Sequence, residues 1–276
     1  MESDRDPTMI DPVDHARDDR ALTGRVALVT GGTAGIGRAI AERLARDGAA
    51  VVATGRTATR GQELEAELGA VGLDVRFERA DMARPEDCGR AVAKAVEVHG
   101  RLDIVVNNAA VFVAASAEET SDDAWDLVLR TNLTSVFLVS RAAIPHLRRA
   151  GGGSIVNVAS VHAIATVDRV AAYAAAKGGV VALSRQMAHD VAIDRIRVNA
   201  VVVGSVATDM SRRHAEAVGR RVPAEGFRID ETVLGRMARP EEIAGAIRFL
   251  VGPDASFING SAFVVDGGLL AKLALG

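Results

Sequence analysis

The chain reads as an α/β protein, a doubly wound parallel sheet with helices on both faces. Two observations predict this. From Gly24 onward, short apolar runs alternate with amphipathic stretches of helical length, the order that βαβ units produce. Several of those runs are unbroken Val, Ile and Ala, as strands buried on both faces require. In chain order the strands fall at residues 26–30, 50–54, 75–80, 104–107, 155–159, 196–203 and 262–265. The helices between them fall at 36–47, 59–68, 85–99, 121–149, 171–191 and 240–250. Neither an internal repeat nor an interior linker interrupts the series, so residues 21–276 are expected to form a single domain.

One long irregular stretch, about 204–239, separates the sixth strand from the last helix. Segments of this length inside a compact domain are usually lids, and Val206, Met210, Val222 and Phe227 give it apolar atoms to close with. Residues 1–20 are acidic and lack an apolar core, so a disordered extension is expected there, not a secretory signal. A net charge of -3 over 276 residues leaves no basic footprint for nucleic acid and no polybasic patch for a membrane surface. No apolar run reaches the ~18 residues of a membrane span. The single cysteine, Cys88, allows no internal disulfide and fits a reducing compartment, so a cytoplasmic location is expected. With no HExxH and no clustered Cys/His set, no catalytic metal is expected.

The first strand runs directly into TGGTAGIG, Thr30 to Gly37, where the first helix opens. Such a turn lets backbone approach a pyrophosphate, and the helix amino terminus offers free N–H groups and a favourable dipole. Gly31, Thr33, Gly35, Ile36 and Gly37 are the candidate contacts. Farther on, Tyr173 and Lys177 stand four residues apart in a helix, on one helical face. A free phenol, with a pKa near 10, holds its proton too tightly for base work at neutral pH, and a neighbouring cation lowers that pKa. Tyr173 can then exchange a proton with a carbonyl or alcohol oxygen. It is the only tyrosine in the chain. Ser160, at the end of IVNVAS, lies at a carboxyl edge where ligands bind in this fold class and can steady the substrate oxygen.

The TGxxxGIG spacing, and Asn132, Ser160, Tyr173 and Lys177 in this order, resemble the short-chain dehydrogenase/reductase family. The resemblance runs from about Gly24 to Gly268. It implies a Rossmann-type, seven-stranded parallel sheet in the order 3-2-1-4-5-6-7, with a nicotinamide cofactor over the point where strand order reverses. It also implies that Lys177 holds the nicotinamide ribose and that Asn132 holds a water in the proton relay. Asp81 and Met82 would meet the adenine end, Asn108, Ala109 and Ala110 the ribose, and Val206 and Thr208 the carboxamide. Asp81 is equally a residue type that caps helices. Ala110 and Val203 replace a usual glycine and proline.

At the end of the second strand, where an acid would receive the ribose hydroxyls of NAD, Gly55 stands and Arg56 follows. Without a carboxylate to repel a 2′-phosphate, and with a guanidinium to pair with it, NADP(H) is favoured over NAD(H). Ala34 fills the turn position where many NADP-binding relatives carry a second base. Val111, Phe112, Val113, Val161 and Val203 suggest an apolar pocket for a small ketone or alcohol. His162 is a candidate substrate contact beside Ser160 and Tyr173, although a surface place suits a histidine as well. Arg212, Arg213, Arg220 and Arg221 could meet an anionic substrate or form a solvated face. By resemblance the chain assembles as a homotetramer or homodimer. Three other functions stay open. Epimerisation or dehydration through a transient oxidation would use the same four residues. A noncatalytic NADP(H)-binding regulatory protein would not need all four, and a methyltransferase would need neither the Tyr/Lys pair nor Arg56.

Overall fold

The computed structural model describes residues 21–217 and 232–272. The extension expected at 1–20, and the part of the expected lid that carries Arg220, Arg221, Val222 and Phe227, lie outside these residues. The strands are β1 (Val26–Val29), β2 (Ala50–Gly55), β3 (Val75–Arg79), β4 (Ile104–Asn107), β5 (Gly153–Val158), β6 (Ile196–Val203) and β7 (Ala262–Val265). They form one sheet in the order β3-β2-β1-β4-β5-β6-β7, every pair parallel. The helices are α1 (Gly35–Arg46), α2 (Ala58–Ala70), α3 (Pro85–His99), α4 (Asp122–Leu129), α5 (Ser135–Arg149), α6 (Ala171–Asp190), α7 (Asp209–Ala217) and α8 (Pro240–Val251).

Alternate residues of a strand face opposite sides, and here both sides are covered. Ala27 and Val29 of β1 join Ile40, Leu44, Leu64, Ile243 and Ile247 in the core under α1, α2 and α8. Val26 and Leu28 join Cys88, Val92, Val139, Leu147 and Met187 under α3, α5 and α6. Each large side chain so buried contributes roughly 1.5–3 kcal/mol, which is why β1 is wholly apolar and β2 and β4 nearly so. The chain winds outward from β1 to β3, then returns to β4 on the other side of β1. The carboxyl ends of β1 and β4 therefore open into a crevice at the switch point.

Three expectations need correction. The helix expected at 121–149 is one continuous rod but not one regular helix, because a π turn at Arg130–Thr134 joins α4 to α5. That rod, Asp122–Arg149, is by length and composition apolar enough to cross a bilayer; packing of α5 on α3, β4 and β5 and of α4 on α6 accounts for its apolar stripe. The stretch 204–239 is not irregular throughout, since it contains α7 and a bridge between Val206 and Ala238. Val203 does not line the pocket: it ends β6, in register with Val265, and packs in the core under α1 and α8.

Candidate active site

The glycine turn is shaped by close approach. Gly31 adopts φ +64, and a Cβ there would sit 2.9 Å from the Cα of Ala109. A Cβ on Gly37 would strike the carbonyl of Gly31 and the Asn108 side chain. The amide of Asn108 explains this crowding: its Nδ2 donates to the carbonyls of Thr30 and Gly31 at 3.0 and 3.1 Å. Thr30 answers from the other side, its Oγ1 accepting from the N–H groups of Asn108 and Ala109. The turn is thus bolted to the end of β4. At α1 the N-cap is Ala34, which makes no side-chain cap, and no acid stands in the first turn. The orphan N–H groups and positive end of the dipole stay open, which fits a dinucleotide pyrophosphate. Thr208, from the segment after β6, lies over this turn, its Cγ2 3.3 Å from where a Cβ of Gly35 would be. Ser211 fixes it there, donating to the carbonyl of Val206 at 2.6 Å and accepting from the Thr208 N–H. Ile36 packs against the core beneath.

At the adenine end, a Cβ on Gly55 would collide with Thr33, so the position leaves no room for a carboxylate side chain while Thr33 stays where it is. Arg56 follows, exposed. Asp81 closes a turn, its Oδ1 accepting from the Ala83 N–H at 3.1 Å. Its own N–H donates to Asp87 at 2.7 Å. Burial would raise the Asp87 carboxyl, but this bond and Arg90 outweigh it and hold the group below the usual range. The Met82 side chain is buried beside Cys88, so only its main chain can face the crevice. Ala110 follows β4 and is partly exposed.

The catalytic candidates meet where β5 ends. Ser160 starts a short 3-10 turn, Val161–Ala163, and accepts from the His162 N–H at 3.3 Å. On α6, Tyr173 hydrogen-bonds Ser160. Lys177 is buried one helical turn on. Its Nζ donates to the carbonyl of Val158 at 2.6 Å and lies 5.6 Å from the centre of the Tyr173 ring. Phe112 and His162 both meet that ring edge-on, at 5.3 and 5.9 Å. Asn132 sits in the π turn, wholly buried; its Oδ1 accepts from the Val111 N–H and its Nδ2 donates to the Val111 carbonyl, both at 2.8 Å. Its side chain therefore fixes the loop that presents Phe112. Val111 and Val113 pack near Tyr173, whereas Val161 faces the core. Arg212 and Arg213, on α7, are exposed.

The electrostatics correct one expectation. Burial pushes the Tyr173 phenol up to about 12, with the Ser160 bond pulling the other way, and burial draws Lys177 down to about 8. Burial dominates at the phenol here, and the Nζ group of Lys177 donates to the Val158 carbonyl. At neutral pH the phenol is protonated and the amine still charged.

Sequence reasoning missed Thr30, Arg79 and the pair Asn157–Ser184. Asn157 carried a signal: an amide inside an apolar strand must find partners, and it donates to Ser184 of α6 at 2.8 Å.

A family model for enoyl-(acyl carrier protein) reductase matches residues 31–270. Dehydrogenase/reductase SDR family member 4 of the rabbit, Oryctolagus cuniculus, is 36% identical over 91% of this chain and 96% of its own length. A cyclopentanol dehydrogenase of a Comamonas species is 37% identical over 91% of this chain and 99% of its own. The crystal structure of an Agrobacterium tumefaciens protein described as a candidate gluconate dehydrogenase superposes with a TM-score of 0.84 at 34% identity, covering 91% of this chain and 98% of that one.

Proposed function

The chain belongs to the short-chain dehydrogenase/reductase family, and from that premise we propose an NADP(H)-dependent oxidoreductase that interconverts a ketone and a secondary alcohol on a small, largely apolar molecule. Membership carries the coarser statement, a nicotinamide-dependent oxidoreductase of CH–OH and C=O groups. One observation supports the rest: a protonated phenol, hydrogen-bonded to Ser160 and backed by a buried amine, at the same sheet edge as an uncapped phosphate cradle.

The bound cofactor supplies or accepts the hydride. Tyr173 gives its proton to the carbonyl oxygen, Ser160 holds that oxygen, and charged Lys177 steadies the phenolate left behind. Oxidation returns the proton to Tyr173. Asn132 holds the Val111–Phe112 wall, and Phe112 and His162 frame the space for the substrate body. Gly55 and Arg56 favour the 2′-phosphate of NADP(H). Because one relative is a cyclopentanol dehydrogenase, small cyclic ketones head the panel.

The test follows nicotinamide absorbance with NADPH and NADH over cyclic and open-chain ketones, with Tyr173→Phe as the blank. Unimpaired turnover in that variant overturns the mechanism; equal kcat/KM for the two cofactors overturns the preference. A homodimer or homotetramer is part of the same proposal, supported by exposed Trp125, Leu127 and Phe137 on α4 and α5. A monomeric mass by light scattering contradicts it.

A further inference from the structure

At the outer corner of the sheet, where β2 and β3 end, four arginines line a cavity of about 340 Å³: Arg56, Arg79, Arg84 and Arg90. They are not equivalent. Arg84 is matched by Glu86 at 2.8 Å, and Arg90 by Glu78 and Asp87 at 3.0 and 2.6 Å. Arg56 and Arg79 form no ion pair among the described residues. The Nε of Arg79 donates to the carbonyl of Arg56 at 3.3 Å, which ties the two residues together. Arg79 is also in register with Gly55, the position from which a carboxylate is missing. Asp81 is the remaining acid of the cavity, and its Oδ1 accepts from the Ala83 N–H.

We infer that Arg79, on β3, is the second cation of the 2′-phosphate site, taking the part that Ala34 in the glycine turn cannot. The inference rests on the NADP(H) reading above and adds a residue to it. A phosphate monoester carries nearly two negative charges at neutral pH. Arg56 alone would compensate half of that, whereas two guanidiniums without competing carboxylates match it and supply planar donor pairs. Arg84 and Arg90 belong to the wall, since their charge is already met.

Calorimetric titration with 2′,5′-ADP and with 5′-AMP tests this without turnover. Arg79→Gln should weaken 2′,5′-ADP about five- to tenfold and leave 5′-AMP unchanged, while Arg84→Gln changes neither. If preference for 2′,5′-ADP persists in Arg79→Gln and is lost in Arg56→Gln, the inference is overturned and the NADP(H) reading stands. Equal weakening of both nucleotides in Arg79→Gln would make the residue structural and also overturn it. Wild-type protein that binds the two nucleotides equally removes the NADP(H) reading and the inference together.

Discussion

Between β1 and α1 the site is made of missing atoms; between β5 and α6 it is made of buried polar side chains. In the first region Gly31 and Gly37 admit backbone where a Cβ would collide, and α1 begins without a cap. Helix α8 shows the alternative, closing its own amino terminus with Glu242, which accepts from the Arg239 N–H at 2.8 Å. The second region leaves few polar groups unanswered. Asn107 donates to Ser140 and Asn157, Asn157 to Ser184, and Ser184 to the carbonyl of Val180. With Lys177 on Val158, this makes two fasteners between β5 and α6. The amino end of α1 has no side-chain cap and no acid in its first turn. The catalytic corner is set before any ligand arrives.

That contrast can be broken in four places. Tyr173→Phe should lower turnover by roughly 10²–10⁴ with nucleotide affinity unchanged; parallel losses in both would mean the two regions are not separable. Next comes pH. Lys177 loses its charge above about 8, so reductive turnover should fall about tenfold per pH unit beyond it. The sign for stability is opposite. With its folded pKa below the ordinary 10.5, Lys177 is protonated more readily in the unfolded chain, so it adds stability as pH rises between about 8 and 10.5. Urea midpoints measured against Lys177→Met should show that divergence, and a common decline of activity and stability would contradict it. Asn157→Ala should cost about 1–3 kcal/mol in denaturant unfolding by stranding buried partners, with a drop in kcat and little change in KM. A rise in KM alone would place the fastener outside the catalytic corner. Smallest is Ala34→Asp. Its extended backbone suits a cap (φ -155, ψ 159), so the protein should gain roughly 0.5–2 kcal/mol while nucleotide binding weakens. Tighter nucleotide binding would show that the open end of α1 is not a phosphate seat.

The strands were legible because burial on both faces leaves a plain apolar run. Only the start of β5 was hidden, since Gly153 and Ser154 do not look like strand residues, yet they pair with Ile196 and Arg197. The π turn was not legible: a single extra residue in a helical ladder has no periodic signature, and the two hydrogen bonds between Asn132 and Val111 that go with it join residues far apart in sequence. Helix α7, DMSRRHAEA, has too few apolar residues to show a stripe. Spacing put Tyr173 and Lys177 on one face, but their shielding, complete for Lys177 and partial for Tyr173, comes from β5 and the Val111–Val113 loop packed beside them. Arg79 escaped because its meaning depends on which neighbouring arginines already have acids, a property of packing and not of sequence.

The lone phenol of this chain also makes it its own indicator. Tyrosine changes its ultraviolet absorption when it ionises, and elsewhere that change blurs over many rings; here the whole difference spectrum belongs to position 173. Spectral titration therefore follows one proton at one place through each ligand state, with no label and no turnover.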